Sequence, residues 1–269
     1  MAAPLIVITG ATHGIGRALA LAFARDGHPL LLVARHADAI AELANHPHRF
    51  AEADVTDYAR LQAAIAASEK EFGPTDCLVN NAGFIHIGDF AKRTVEDLDY
   101  EIDVLFKGVV HGCRAVLPGM IERERGTIVN VSSIGDRRPG PSGETYHASN
   151  TAIRSLAESM QQAEAKNNIR IINIAPGLVK TNIHQTMGIS FEEYCKMLGN
   201  PDFIAPERIA EIILFCYKLP QSICIRDLVV MPTRRGIDWH RRFGRPCRPR
   251  PSDPVGAWRT HKNFKGGKQ

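Results

Sequence analysis

Apolar residues along this chain fall in short dense runs, separated by longer amphipathic stretches. The runs Leu5–Thr9, Pro29–Ala34, Arg49–Asp54, Asp76–Asn80, Gly126–Ser132, Ile169–Ala175 and Arg226–Met231 are mostly rich in Ile, Leu and Val. Near-continuous runs suit strands buried on both faces of a parallel sheet. Between them, segments 14–26, 36–45, 57–72, 94–122, 143–167 and 206–217 carry apolar residues at helical spacing, as at Leu61, Ile65, Ser68 and Phe72. The alternation predicts an α/β fold, a doubly wound sheet with right-handed crossovers. Residues 181–205 break the rhythm and read as a loop or short helices over a site. No repeat of fixed period occurs. From Thr233 onward, Pro246, Pro249, Pro251 and Pro254 interrupt any regular element. The expected organisation is one domain over 1–232 and a Pro-containing tail over 233–269.

Composition narrows the class. The 269 residues are 44% hydrophobic and 23% charged, which excludes wholesale disorder. Uninterrupted apolar runs such as Leu30–Ala34 are far too short to span a bilayer, so no transmembrane segment is expected. The opening MAAPLIVITG lacks a basic stretch followed by a long apolar core, so no secretory signal is expected. Six cysteines lie far apart without a CxxC pair, which points to reduced thiols and a cytoplasmic location rather than a zinc site or disulfide framework. Charge is uneven. Residues 233–269 hold eleven Lys and Arg against Asp238 and Asp253, a net +9, so a chain of +4 has a body of −5. Arg mixed with Trp239 and Phe243 can meet acidic surfaces. No nucleic-acid motif accompanies the tail, so a solvated appendage or subunit contact is the preferred reading.

The first strand runs into TGATHGIG, with Gly10, Gly14 and Gly16, and a helix follows. Glycine is required where the chain turns sharply and where backbone must approach a pyrophosphate closely. The free N–H groups and positive end of the next helix favour the phosphates. Strand, glycine turn and helix in this order define a Rossmann-type phosphate site.

Residues 9–16 also match TGxxxGxG, the glycine motif of the short-chain dehydrogenase/reductase family, and the resemblance extends over residues 5–231. Asp54 and Val55 in ADVTD resemble the family's adenine-contacting pair. NNAG at Asn80–Gly83 resembles the segment after strand four, and NVSS at Asn130–Ser133 the end of strand five. PGLVKT at Pro176–Thr181 resembles the nicotinamide-side loop, and DLVVMPT the last strand of some carbonyl-reducing members. The resemblance implies seven parallel strands with the cofactor across their C-terminal ends. It assigns cofactor contacts to Gly10, Thr12, His13, Gly14, Ile15 and Gly16 in the turn, to Asp54 and Val55, and to Asn81. On the nicotinamide side it assigns Tyr146, Asn150, Pro176, Gly177, Val179 and Thr181. It also implies a homodimer or homotetramer through the long helices.

Folds of this kind that use NAD usually place an acid at the end of strand two. Here Ala34 stands there, followed by Arg35. A guanidinium can grip a 2′-phosphate bidentately, and His13 adds partial positive charge. NADP(H) is therefore favoured over NAD(H), although Arg35 as a solvated helix start is an open alternative.

Family members use Tyr as acid/base, a nearby Ser, a Lys four residues after the Tyr, and an Asn in the preceding long helix. Tyr146 aligns with the Tyr and Ser133 with the Ser. The Lys position is Asn150, and the relay Asn position is Leu105. A lysine charge about 4 Å from the phenol is worth roughly 4 kcal/mol at an effective dielectric of about 20, or roughly three pKa units. Without it, Tyr146 is expected nearer the free value of about 10. Alcohol oxidation, which needs phenolate, should suffer more than carbonyl reduction, which needs the neutral phenol.

Lys107 is expected on the other side of its helix, and His147 should face about 100° from Tyr146. His86 and His184 lie on loops flanking the substrate and are candidate proton donors, though loop histidines are often merely solvated.

Three functions fit these residues. One is an NADP(H)-dependent oxidoreductase acting on a carbonyl/alcohol pair, with Tyr146 as proton donor and Ser133 polarising the carbonyl. Another is a cofactor-binding pseudoenzyme or regulatory subunit without turnover. The third is a non-redox lyase or isomerase. The first is preferred because Ser133, Tyr146 and the glycine turn are kept. Phe84, Ile85, Ile87, Ile183, Met187 and Phe191 suggest an apolar small-molecule pocket.

Overall fold

Seven strands form one wholly parallel sheet in the order β3-β2-β1-β4-β5-β6-β7. They are β1 (Leu5–Thr9), β2 (Leu30–Ala34), β3 (His48–Glu52), β4 (Thr75–Asn80), β5 (Gly126–Val131), β6 (Ile169–Pro176) and β7 (Asp227–Val230). This computed structural model describes residues 3–36 and 40–233. Each predicted strand is present, with ends shifted by no more than two residues. The chain divides into two units, Met1–Ile237 and Asp238–Gln269. All of the predicted basic tail except Thr233 lies outside the described residues.

Consecutive apolar residues in a strand point to opposite faces, and both faces are covered. Ile6, Ile8, Leu30, Leu32, Cys77 and Val79 face α1 (Gly14–Arg25) and α7 (Pro206–Lys218). Leu5, Val7, Leu31, Val33 and Leu78 face α2 (Tyr58–Phe72), α4 (Gly108–Glu122) and α5 (Glu144–Glu164). The predicted stripe on α2 is the buried one: Leu61, Ile65 and Ser68. Asp57 starts that helix by accepting a hydrogen bond from the Arg60 amide.

Two expectations need correction. The predicted helix over 36–45 is absent from its described part, where Ala41–Leu43 makes a single 3₁₀ turn that buries Leu43. Pro47 disfavours helical backbone at His46, so no helix continues past that turn. The predicted helix over 94–122 is interrupted. It runs as α3 (Val95–Ile102), a π-helical turn at Asp103–Lys107, and α4. Among the described residues, Val95–Glu122 has the length and apolar composition to cross a membrane, and 44% of its most apolar window is buried inside the fold. That burial is what a core helix lying on a sheet requires.

Strand order reverses direction between β1 and β4, so the loops after these two strands diverge and open a crevice at the C-terminal edge of the sheet. The looser segment over 181–205 folds as a 3₁₀ turn at Asn182–Met187 and a short helix α6 (Phe191–Met197).

Candidate active site

The crevice is fastened at its centre by Thr9 and Asn81. Thr9 Oγ1 accepts hydrogen bonds from the amides of Asn81 and Ala82 at 3.0 and 3.1 Å. Asn81 Nδ2 donates to the carbonyls of Thr9 and Gly10. Gly10 has φ +64°, and a Cβ there would lie 2.8 Å from the Ala82 Cα. A Cβ on Gly16 would lie 2.1 Å from the Gly10 carbonyl oxygen. Only glycine satisfies either position. The turn passes through Thr12, whose hydroxyl lies 2.9 Å from His13 Nδ1.

Helix α1 begins after His13, with Ile15 half-buried against the core. The side chain of His13 makes no capping bond to the helix, and the first turn carries no acid. The first amides of α1 are thus aimed at the crevice without a side-chain cap, the arrangement an anion occupies. These residues fit a dinucleotide pyrophosphate.

At the far end, Arg35 follows β2 and donates from Nη1 to the Tyr100 hydroxyl at 3.0 Å. Tyr100 donates to Asp54 Oδ2 at 2.8 Å, and the Thr56 amide donates to Asp54 Oδ1 at 2.8 Å. Burial pushes the Asp54 carboxyl up, but hydrogen bonds from Thr56 and Tyr100 and the Arg35 charge outweigh it and hold the group below its ordinary value. Tyr100 itself is pushed up by burial and by its bond to Asp54. Val55 is buried beneath α4, where a Cβ on Gly108 would lie 2.5 Å from its Cγ2. Sequence reasoning missed Tyr100. It carries no motif, and only the tertiary placement of α3 brings its hydroxyl to Arg35 and Asp54.

On the other side of the crevice, Ser133 follows β5 in extended backbone and accepts from the Gly135 amide at 3.1 Å. Tyr146 sits in the first turn of α5, where the Ser133 and Asn150 side chains favour ionisation of its phenol. Burial drives the phenol above its ordinary value of 10.0. The Glu101 and Asp136 carboxylates push it the same way, and Ser133 and Asn150 only partly oppose them. The expectation of a value near 10 is thus exceeded. Removing a lysine returns a phenol to 10 only in water, and this one is desolvated between carboxylates.

Asn150 is buried and its Nδ2 donates to the Tyr146 carbonyl at 2.8 Å. Leu105 is buried within the π-helical turn, where a Cβ on Gly83 would lie 3.0 Å from its Cδ2. The side chain therefore closes over the NNAG segment.

The remaining predicted residues come from the loop after β6. Pro176 closes that strand opposite Val230, and Gly177 packs where a Cβ would lie 2.6 Å from the Met231 sulfur. Val179 is buried and pairs with Ile204. Thr181 accepts from the Ile183 amide and lies against the glycine turn, its Cγ2 3.0 Å from a Cβ built on Gly14. The predicted site residues therefore come from the C-terminal ends of β1 to β6 and the segments that follow those strands.

The candidate histidines differ. His184 is not a solvated loop residue: it is buried, with ring centroids 5.5 Å from Phe191 and 6.1 Å from Tyr194. His147 is buried against Gly135, its ring 5.5 Å from that of Tyr146, and burial holds its pKa below 6.5. His86 is half-exposed, 6.5 Å from the Phe84 ring. Lys107 pairs with Asp103 at 3.0 Å on the exposed side of the helix, as its position implies. Burial pushes the Tyr194 phenol up to about 12.

Residues 4–189 match the family described as short chain dehydrogenase, and the chain belongs to it. Among its relatives is the oxidoreductase UcpA of Salmonella typhimurium, 40% identical over 187 residues, which are 67% of this chain and 71% of that protein. Another is the NADP-dependent 3-hydroxy acid dehydrogenase YdfG of Shigella flexneri, 29% identical over 246 residues, 88% of this chain and 99% of that one. A solved serine dehydrogenase in closed form, complexed with NADP+, superposes with a TM-score of 0.79 at 30% identity, covering 85% of this chain and 94% of that one. An alcohol dehydrogenase of the archaeon Thermococcus sibiricus, complexed with 5-hydroxy-NADP, gives 0.74 at 26% identity over 86% and 96%. The seven-stranded parallel sheet is the one these proteins share, and the relatives mark the chain as an oxidoreductase of the dehydrogenase/reductase kind.

Proposed function

We propose that this protein is an NADP(H)-dependent oxidoreductase interconverting a small-molecule carbonyl and its alcohol, working chiefly as a reductase. The observation that carries the reading is the placement of Tyr146. Its phenol lies beside Ser133, and burial and two carboxylates favour its protonated form. A neutral phenol at neutral pH is a proton donor, and Ser133 beside it can polarise the carbonyl oxygen that receives the proton.

The nicotinamide dinucleotide, when bound, supplies the hydride. The glycine turn from Gly10 to Gly16, with Thr12, His13 and Ile15, would hold its pyrophosphate. Asp54 and Val55 would border the adenine. Arg35, with no acid at Ala34 to repel a 2′-phosphate, would take that group. Asn81, Asn150, Pro176, Gly177, Val179 and Thr181 would line the nicotinamide side. The NADP ligands named for two of the solved neighbours and the NADP dependence named for YdfG support the preference. Phe84, Ile85, Ile183, Met187 and Phe191 would make the substrate pocket largely apolar. We assign the protein to the cytoplasm and to a homodimer or homotetramer, the latter supported by the exposed apolar side chains of Val95, Ile102 and Val110 on the long helix.

A cofactor-binding protein without turnover is the second reading. The uncharged Asn150 at the lysine position favours it. The deciding experiment follows NADPH consumption with ketones, aldehydes and quinones. The native chain should turn over, and Tyr146→Phe should lose about 10²- to 10⁴-fold. NADPH binding with no turnover in the native chain would establish the second reading instead.

A further inference from the structure

Glu101, on α3, is 0% exposed, yet no known role of the crevice accounts for a carboxylate there. Its oxygens collect three partners from three segments. Arg93, which precedes α3, donates from Nη1 to Oε2 at 2.7 Å. The Thr145 hydroxyl, in the first turn of α5 and adjacent to Tyr146, donates to the same oxygen. The backbone amide of His86, in the loop after β4, donates to Oε1 at 2.9 Å. Arg93 also reaches Thr145 Oγ1 at 3.0 Å and the Asp97 carbonyl at 3.3 Å. A buried charge is retained only with such satisfaction, because desolvating it is otherwise costly. One carboxylate therefore ties the substrate-side loop, the long helix and the start of α5 together.

We propose that Glu101 is a positioning residue for the reaction centre. Through Thr145 and the His86 amide it fixes where Tyr146 stands relative to the loop over the substrate, and it makes the electrostatic surroundings of that phenol negative. The inference rests on the reading of Tyr146 as proton donor. Charged and titratable groups face Tyr146 from every side: Glu101 from α3, Asp136 from the turn after β5, Tyr194 from α6, and His147 beside it on α5. Arg93 is engaged by Glu101, and Arg137 by Asp136 at 3.4 Å and by Asp227.

The test uses the full chain without cofactor or substrate. The ionised fraction of Tyr146 at pH 9.5 is read from its ¹³Cζ resonance, assigned among the five tyrosines by Tyr146→Phe. Near-UV circular dichroism confirms the fold. In Glu101→Gln the Tyr146 titration should move to lower pH, so that the phenolate fraction at pH 9.5 rises. Should that variant not fold, Arg93→Met/Glu101→Met removes the pair together, a change that buried ion pairs often tolerate, and the fraction should still rise. Thr145→Val keeps the charge and should leave the fraction unchanged. An unaltered fraction in folded Glu101→Gln or in the double variant would overturn the proposal. Because no NADPH is involved, a chain that fails to reduce carbonyls refutes the reductase reading alone. An active reductase whose Tyr146 ignores Glu101 refutes this inference alone.

Discussion

At the glycine turn the backbone itself leaves no room for change, whereas around Tyr146 the fold accepts substitutions that reverse the sign of the local charge. The difference is one of what each region is made of. Gly10 and Gly16 lie within 3 Å of carbonyl and Cα atoms of the sheet edge, so any side chain meets backbone. Such contacts cannot relax without moving β1 or β4. Tyr146, by contrast, is surrounded by side chains: Glu101, Asp136, Asn150 and Ser133. Side chains can be exchanged one at a time, and each exchange shifts the balance of the phenol's protonation. The glycine turn is thus constrained by sterics, and the surroundings of Tyr146 are set by electrostatics.

The largest effect expected from this contrast is at Gly16. Gly16→Val should destabilise the domain by about 3 kcal/mol and abolish dinucleotide binding, read as a lower Tm that NADPH no longer raises. A variant that still gains Tm from NADPH would break the steric half of the comparison.

Asn150→Lys tests the electrostatic half. An ammonium four residues after Tyr146, on the same helical face, should lower the phenol from its raised value. Alcohol oxidation at pH 7 should then rise by about a hundredfold, and its pH profile should move to lower pH. The sign follows from the direction of the native shift. A raised phenol is protonated throughout the neutral range, so native oxidation should climb with pH past 10.0 while native reduction stays flat until the phenol ionises. An oxidation profile that Asn150→Lys leaves in place would show that Tyr146 is not the group being titrated.

The smallest effect belongs to Arg35. Its guanidinium is exposed and already bonded to Tyr100, so a 2′-phosphate would replace an existing partner rather than fill a vacancy. Arg35→Ala should weaken NADPH binding about tenfold, worth roughly 1.4 kcal/mol, and leave NADH binding nearly unchanged, both by fluorescence titration. Equal losses for the two cofactors would make Arg35 a general contact and remove the basis of the NADP preference.

The strand runs, the glycine turn and the identities at positions 105, 133, 146 and 150 were legible because each is local. A strand buried on both faces must be apolar throughout, and a turn that approaches phosphate must lack side chains. The described part of the segment 36–45 shows where local reading fails, since a single 3₁₀ turn at Ala41–Leu43 is enough to bury Leu43. Glu101 and Tyr100 lay inside a segment whose periodicity announced only a helix. Neither Arg93 and Thr145 gathering on the one, nor Arg35 and Asp54 meeting the other, has a signature in residue order.

The sequence by itself determined the α/β alternation, the phosphate turn and which four positions of the reaction centre are occupied by what. These depend on periodicity and on short-range backbone sterics. Tertiary structure decided the protonation of Tyr146, because that depends on how much water burial removes and on which carboxylates from α3 and the turn after β5 come to stand beside it. Both quantities arise only when segments 10 to 45 residues apart in the chain are packed against one another.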